Sequence, residues 1–104
     1  MKIQFNTDNN ITGSEAIRAP LEETIARSLD RFSEQITRVE VHLNDVNSHK
    51  GGGDDKRCML EARLEGMQPI AVTNNADTHQ EAVKGAVDKL KAALDTVIGR
   101  LRNY

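Results

Sequence analysis

The sequence is poor in the residues that announce most chemistries. It has no tryptophan, one tyrosine and two phenylalanines in 104 residues, too few rings for a platform that stacks the bases of a single strand. Its one cysteine, Cys58, excludes an internal disulfide and cannot assemble a zinc site alone. No window of about twenty apolar residues occurs, so nothing is expected to span a membrane. The opening Met1-Lys2-Ile3-Gln4-Phe5 is not followed by the apolar run of a secretory signal. Neither sign of charge dominates: 14 Lys+Arg against 16 Asp+Glu leave a formal net charge of −2, with no global excess to advertise nucleic acid. No linker, repeat or low-complexity block divides the chain, so residues 1–104 read as a single cytoplasmic domain with one core.

What is present is pattern. Ile3 and Phe5 alternate with Lys2, Gln4 and Asn6, which predicts a short half-buried strand; Asp8-Asn9-Asn10 predicts a turn. Thr12-Gly13-Ser14-Glu15 has capping-box spacing, a hydroxyl followed three residues on by a carboxylate, so a helix is expected to begin there. Ile17, Leu21, Ile25, Leu29 and Phe32 continue it as one apolar stripe. Pro20 interrupts the stripe and must kink the helix or delay its start, because proline lacks the amide donor. From Ile36 the period becomes two, with Val39, Val41 and Leu43 opposed to Arg38, Glu40, His42 and Asn44. Residues 46–56 read as a polar hairpin loop. Cys58, Leu60, Ala62 and Leu64 then alternate with Met59, Glu61, Arg63 and Glu65. Gly66 turns the chain into a fourth strand around Ile70 and Val72, marked as an edge by Pro69, which cannot donate to a ladder. Asp77 or Thr78 caps a last helix, with Gln80 or Glu81 three residues on, whose stripe is Val83, Ala86, Val87, Leu90, Leu94, Val97 and Leu101. The predicted fold is α+β, a β-α-β-β-β-α two-layer sandwich. Its four-stranded mixed sheet has order 1-2-3-4, the first pair parallel through a right-handed crossover, with both helices on one face.

Catalysis is the poorest reading of these residues. His42, His49 and His79 fall on a strand, a loop and a helix start, without metal-ligand spacing. Cys58 lies on an apolar strand face and reads as a small buried hydrophobe rather than a nucleophile. Gly51-Gly52-Gly53 resembles a phosphate loop only superficially, because Asp54-Asp55 and a strand follow it instead of Lys-Ser/Thr and a helix. The two aspartates could ligate a hard cation, but a glycine hairpin explains them better. Charge is more informative. Beyond Asp95 the last helix carries only cations, which also suits the negative end of its dipole. At ~100° per residue, Lys89 and Arg100 flank the apolar stripe on one side and Lys84, Lys91 and Arg102 on the other. The first helix adds Arg18, Arg27 and Arg31 beside Glu22, Glu23 and Asp30. A solvated mixed-charge face accounts for the same pattern.

Order and residues together resemble the ribosome hibernation-promoting factors, the RaiA-type ribosome-associated translation inhibitors, in their short form. The resemblance runs from the strand Met1-Lys2-Ile3-Gln4-Phe5 and the turn Asn9-Asn10-Ile11-Thr12, through Leu29-Asp30-Arg31-Phe32 and Ile36-Thr37-Arg38-Val39, to Ala82-Val83-Lys84-Gly85-Ala86-Val87-Asp88-Lys89-Leu90. It implies a cytoplasmic, non-enzymatic protein without cofactor or metal. It also implies a favoured monomer that lodges in the decoding channel of the small ribosomal subunit, contacts ribosomal RNA through exposed helix faces and silences translation under stress or in stationary phase. DNA, membranes and small-molecule substrates are not expected partners. The family's RNA-facing stripe on the last helix is basic at positions matching Lys89, Ala92, Thr96 and Arg100, so two of its four cations are missing here. Arg18 and Arg27 match positions often basic in the family. The resemblance selects the Lys89–Arg100 flank, expected to face the groove between the helices, where Arg27 or Arg31 could join it. Fewer cations displace fewer counterions, so RNA binding should be weaker than in basic members. The alternative is a diverged, acidic member that acts as a protein-interaction module with little direct RNA binding. The final α-β-β-β-α portion also resembles a double-stranded RNA-binding domain. That match fails where a lysine cluster should open the last helix and Asp77-Thr78-His79-Gln80-Glu81 stands instead.

Overall fold

Period-two alternation builds a four-stranded sheet, and a computed structural model describes the chain over residues 1–7, 14–45 and 56–102, the side chains of 14, 15, 101 and 102 excepted. The strands are β1 (Lys2–Thr7), β2 (Ile36–Asp45), β3 (Lys56–Leu64) and β4 (Ile70–Ala76), and the helices α1 (Ser14–Ser28) and α2 (His79–Arg102). The sheet order is β1-β2-β3-β4. β1 runs parallel to β2 with Phe5 opposite Val41; β2, β3 and β4 are antiparallel neighbours, Val41 facing Leu60 and Leu60 facing Val72. This is the α+β sandwich expected from the pattern. α2 lies across β3 and β4, with α1 beside it near β1.

Between the layers, Val39, Val41, Leu43, Cys58, Leu60 and Ala62 expose no surface, and Ile3, Phe5, Ile70 and Val72 pack partly buried against the same core. Burying each large aliphatic side chain contributes roughly 1.5–3 kcal/mol. A one-residue slip would turn a whole strand's set to water, so the register is strongly specified.

Several expectations are corrected. Of the two effects expected of Pro20, the delay is excluded: α1 starts at Ser14 and runs through the proline, and the Thr24 hydroxyl donates to the Pro20 carbonyl at 3.0 Å. α1 stops at Ser28, short of the apolar stripe. Leu29 and Phe32 stay buried in a 3-10 turn over Asp30–Phe32, closed by the Phe32 N–H donating to the Leu29 carbonyl at 2.9 Å. Ile36 is buried three residues before Val39, which strict alternation forbids; a β-bulge at Thr37 takes up the extra residue. The Thr37 hydroxyl ties the bulge to the Arg63 carbonyl at 3.0 Å. Lys56 belongs to β3 rather than to a loop and pairs with Asp45 at 2.9 Å. In α2, Ala82 and Ile98 are buried while Val97 is half-buried. The Asp8–Asn10 turn, most of the capping box, His49 and the Gly51–Asp55 segment lie outside the described residues, as do the side chains of Leu101 and Arg102.

β4 forms an edge, as Pro69 implied, and Gly66 turns the chain into it at φ 74°. That left-handed conformation suits glycine, which has no Cβ to clash. Among the described residues no helix is long and apolar enough to cross a membrane.

Candidate nucleic-acid interface

α2 carries the largest share of the candidate cations, and three contacts fix how it presents them. At its start the Thr78 hydroxyl oxygen accepts from the Glu81 N–H at 3.1 Å and donates to the Glu81 carboxylate at 3.1 Å; it satisfies an otherwise orphan donor of the first turn. Asn74 of β4 donates to the Ala82 carbonyl at 3.3 Å. Gly85 lets the two come this close, because a Cβ there would overlap the Asn74 amide. One turn on, the Lys89 ammonium donates to the Thr73 carbonyl of β4 at 2.8 Å. It covers a polar group of an edge strand, one of the ways proteins blunt sheet edges.

That last bond settles the orientation of α2. The Lys89 flank faces the outer edge of β4 and not α1, which overturns the expectation that Lys89 looks into the groove between the helices. Arg100 is exposed three turns further along the same flank, and Ala92 and Thr96 between them are exposed and uncharged. The flank bordering α1 is the other one. Asp95, eleven residues beyond Lys84 and four beyond Lys91, receives Arg31 at 2.9 Å across the groove. Lys84 is exposed and Lys91 half-buried along that flank.

The first helix does not gather its cations either. Arg18 lies over the Phe5 ring at 5.7 Å, toward β1. Arg27 pairs with Glu23 one turn back on the solvent side. Arg31, besides bridging to Asp95, covers the Phe32 ring at 4.5 Å. The seven predicted residues are therefore spread over four places, the β1 side, the solvent side of α1, the groove and the β4 edge, and neither Arg27 nor Arg31 joins Lys89 and Arg100. Two residues that hold this arrangement, Asp95 and Asn74, were not legible in the sequence as contact partners. Asp95 carried a readable signal, its eleven-residue spacing from Lys84. Asn74 carried none, since nothing in a strand pattern marks a residue that bonds to a helix.

Cys58 is fully buried, and burial pushes its thiol from 9.0 up to about 12, so it is protonated and inert at neutral pH. Among the described residues no group of three or more His, Cys, Asp or Glu side chains is placed to hold a metal ion.

These features define a small α+β protein whose helical layer presents exposed cations on its polar surface. The chain belongs to the family described as sigma 54 modulation protein / S30EA ribosomal protein, which it matches over residues 3–102. It is similar in structure to the N-terminal domain of protein Y from Thermus thermophilus, with 25% identity and a TM-score of 0.72 over 93% of this chain and 99% of that one. It shares its fold with a ribosomal subunit interface protein from Coxiella burnetii, at 21% identity and a TM-score of 0.76 over 95% and 99% of the two chains. No curated protein sequence matches it. The family resemblance read from the sequence is thus established.

Proposed function

We propose that this chain is a non-catalytic, ribosome-associated protein of the cytoplasm that binds the small ribosomal subunit through its RNA and represses translation under stress or in stationary phase. Its 104 residues act as one binding domain, without cofactor, metal or small-molecule substrate. The observation that carries this reading is the family match, which spans residues 3–102 and belongs to a family described in part as a ribosomal protein. The exposed cations of α2 are suitable for phosphate, which Lys binds as a point charge and Arg as a planar fork.

On this reading Lys89 and Arg100 act from the β4 side of α2, and Lys84 and Lys91 from the groove side. Arg18, Arg27 and Arg31 contribute from the first helix. Cosedimentation with purified small subunits tests it. Reversing charge at Lys89 and Arg100 should weaken association and flatten its salt dependence. Lys→Glu changes at Lys84 and Lys91 are the matched pair for the other flank. Restoring cations at Ala92 and Thr96 should strengthen association. One observation favours the second reading, a protein-interaction module: Arg27 and Arg31 are each held by a carboxylate. Association that survives both reversals with unchanged salt dependence would establish that reading instead.

A further inference from the structure

The open face of the sheet, turned away from both helices, carries a charge pattern that the fold does not require. Four cations stand on it, Lys2, Arg38, Arg57 and Arg63, against the carboxylates of Glu40 and Glu61, in a chain whose net charge is −2. Three of the cations form one row. Lys2 is directly opposite Arg38, and Arg38 directly opposite Arg63, so they cross three neighbouring strands within about 10 Å. Like charges placed directly opposite one another destabilise a sheet. Arg57 lies six residues from Arg63 along β3, about 20 Å away.

Glu40 organises the row. Its side chain is 16% exposed, and it receives Arg38 at 2.7 Å and Arg63 at 3.4 Å, with His42 at 3.6 Å. Arg63 also stands 3.7 Å from Glu61. The carboxylate offsets part of the repulsion and pre-orients two guanidinium groups without neutralising the face. Apart from Met59 and Ala71, the side chains alternating onto this face are polar or charged, and His42, held against Glu40, is the one ring among them. Arginine serves protein interfaces too, but there it stands among apolar or aromatic anchors, and this face offers only Met59 and Ala71. Stacked bases would want rings. Aligned cations among amides and hydroxyls suit the phosphates and sugars of an RNA backbone, which fix position without reading sequence.

We infer that the open sheet face is a second RNA-contacting surface, with Lys2, Arg38, Arg57 and Arg63 on backbone phosphates and Glu40 as a positioning residue. The inference rests on the proposed function and deepens it: the RNA is gripped from the sheet side as well as from the helices.

The test is the triple variant Lys2→Gln, Arg57→Gln, Arg63→Gln, which leaves the Arg38–Glu40 pair in place, with folding checked by circular dichroism and thermal melting. Binding to purified small subunits is measured between about 50 and about 200 mM salt. The triple variant should bind roughly tenfold or more weakly, and its log–log salt slope should fall by roughly two to three. Should the triple variant fold poorly, Lys2→Gln/Arg57→Gln replaces it, with a slope change of about two. Wild-type affinity and slope in the folded variant, alongside loss of binding on reversal at Lys89 and Arg100, would overturn this inference and leave the proposed function standing. Weakened binding with an unchanged slope would assign the face to a ribosomal protein and also overturn it. If the wild-type chain does not bind the subunit, the proposed function fails. A short RNA duplex then decides the face alone: salt-dependent binding lost in the variant retains it, and no binding ends it.

Discussion

Replacing Gly85 by alanine separates a local rule from a tertiary one, because the contact the methyl would make cancels or outweighs the local gain. In a helix interior alanine is favoured over glycine by about 1 kcal/mol. At Gly85, however, the new methyl would overlap the side-chain amide of Asn74. Either Asn74 swings away and forfeits its bond to the Ala82 carbonyl, made at 3.3 Å, or α2 shifts on the sheet. The lost bond is worth about 0.5–1.5 kcal/mol, and over-packing costs about 1–3 kcal/mol. Set against the helix gain, the first route leaves Gly85→Ala close to neutral. The second costs up to about 2 kcal/mol, a fall in Tm of up to roughly 15 °C for a domain of this size. Either way the stabilisation alanine brings to a free helix position is lost. Gly99, in the same helix, has nothing within 4 Å of an added Cβ, so Gly99→Ala should stabilise by up to about 1 kcal/mol. Urea denaturation followed by circular dichroism measures both. In the background of Asn74→Ala, the Gly85→Ala change should become stabilising, since its obstacle is gone. A Gly85→Ala variant as stable as Gly99→Ala in the otherwise unaltered chain would refute the contact and the close docking of α2 on β4.

Other consequences are equally direct. Cys58 should resist thiol reagents in the native protein and react once denaturant is added, and Cys58→Ser should lower stability without abolishing binding. With its thiol raised from 9.0 to about 12, the unfolded chain releases this proton first as pH rises. Stability is therefore full below about pH 9 and declines toward pH 12, by up to about 1.4 kcal/mol per pH unit from this group. Cys58→Ala should remove that increment from the slope in a denaturation series run across this range. Thr78→Ala, which deletes the α2 cap, should cost about 1 kcal/mol in the same denaturation assay.

Sheet order and core were legible because each strand alternates cleanly. Val39, Val41, Leu43, Leu60, Ala62 and Leu64 are all buried as their spacing required. Ile36 was not legible, because a bulge has no period of its own and shows only when β2 is laid against β3. Val97 and Ile98 are adjacent and both apolar, and only the position of the neighbouring layer decides that Ile98 is the more buried. The candidate site was legible as two flanks of a helix and no further. Helical spacing groups Lys89 with Arg100 and Lys84 with Lys91, but it cannot say which flank borders α1. The Arg31–Asp95 pair and the Lys89–Thr73 bond decide that, and both are contacts between residues distant in sequence. The open sheet face was hidden for the same reason. Lys2, Arg38 and Arg63 become one row only after the register of three strands is known.

Direct contact with small-subunit RNA is the central claim, and chemical probing of that RNA measures it most directly. Purified small subunits are probed with and without saturating protein, and the reactivity of every backbone position is compared. The expected result is a confined set of protections in the decoding channel that fade as salt is raised. Unchanged reactivity throughout the subunit at saturating protein would contradict the claim.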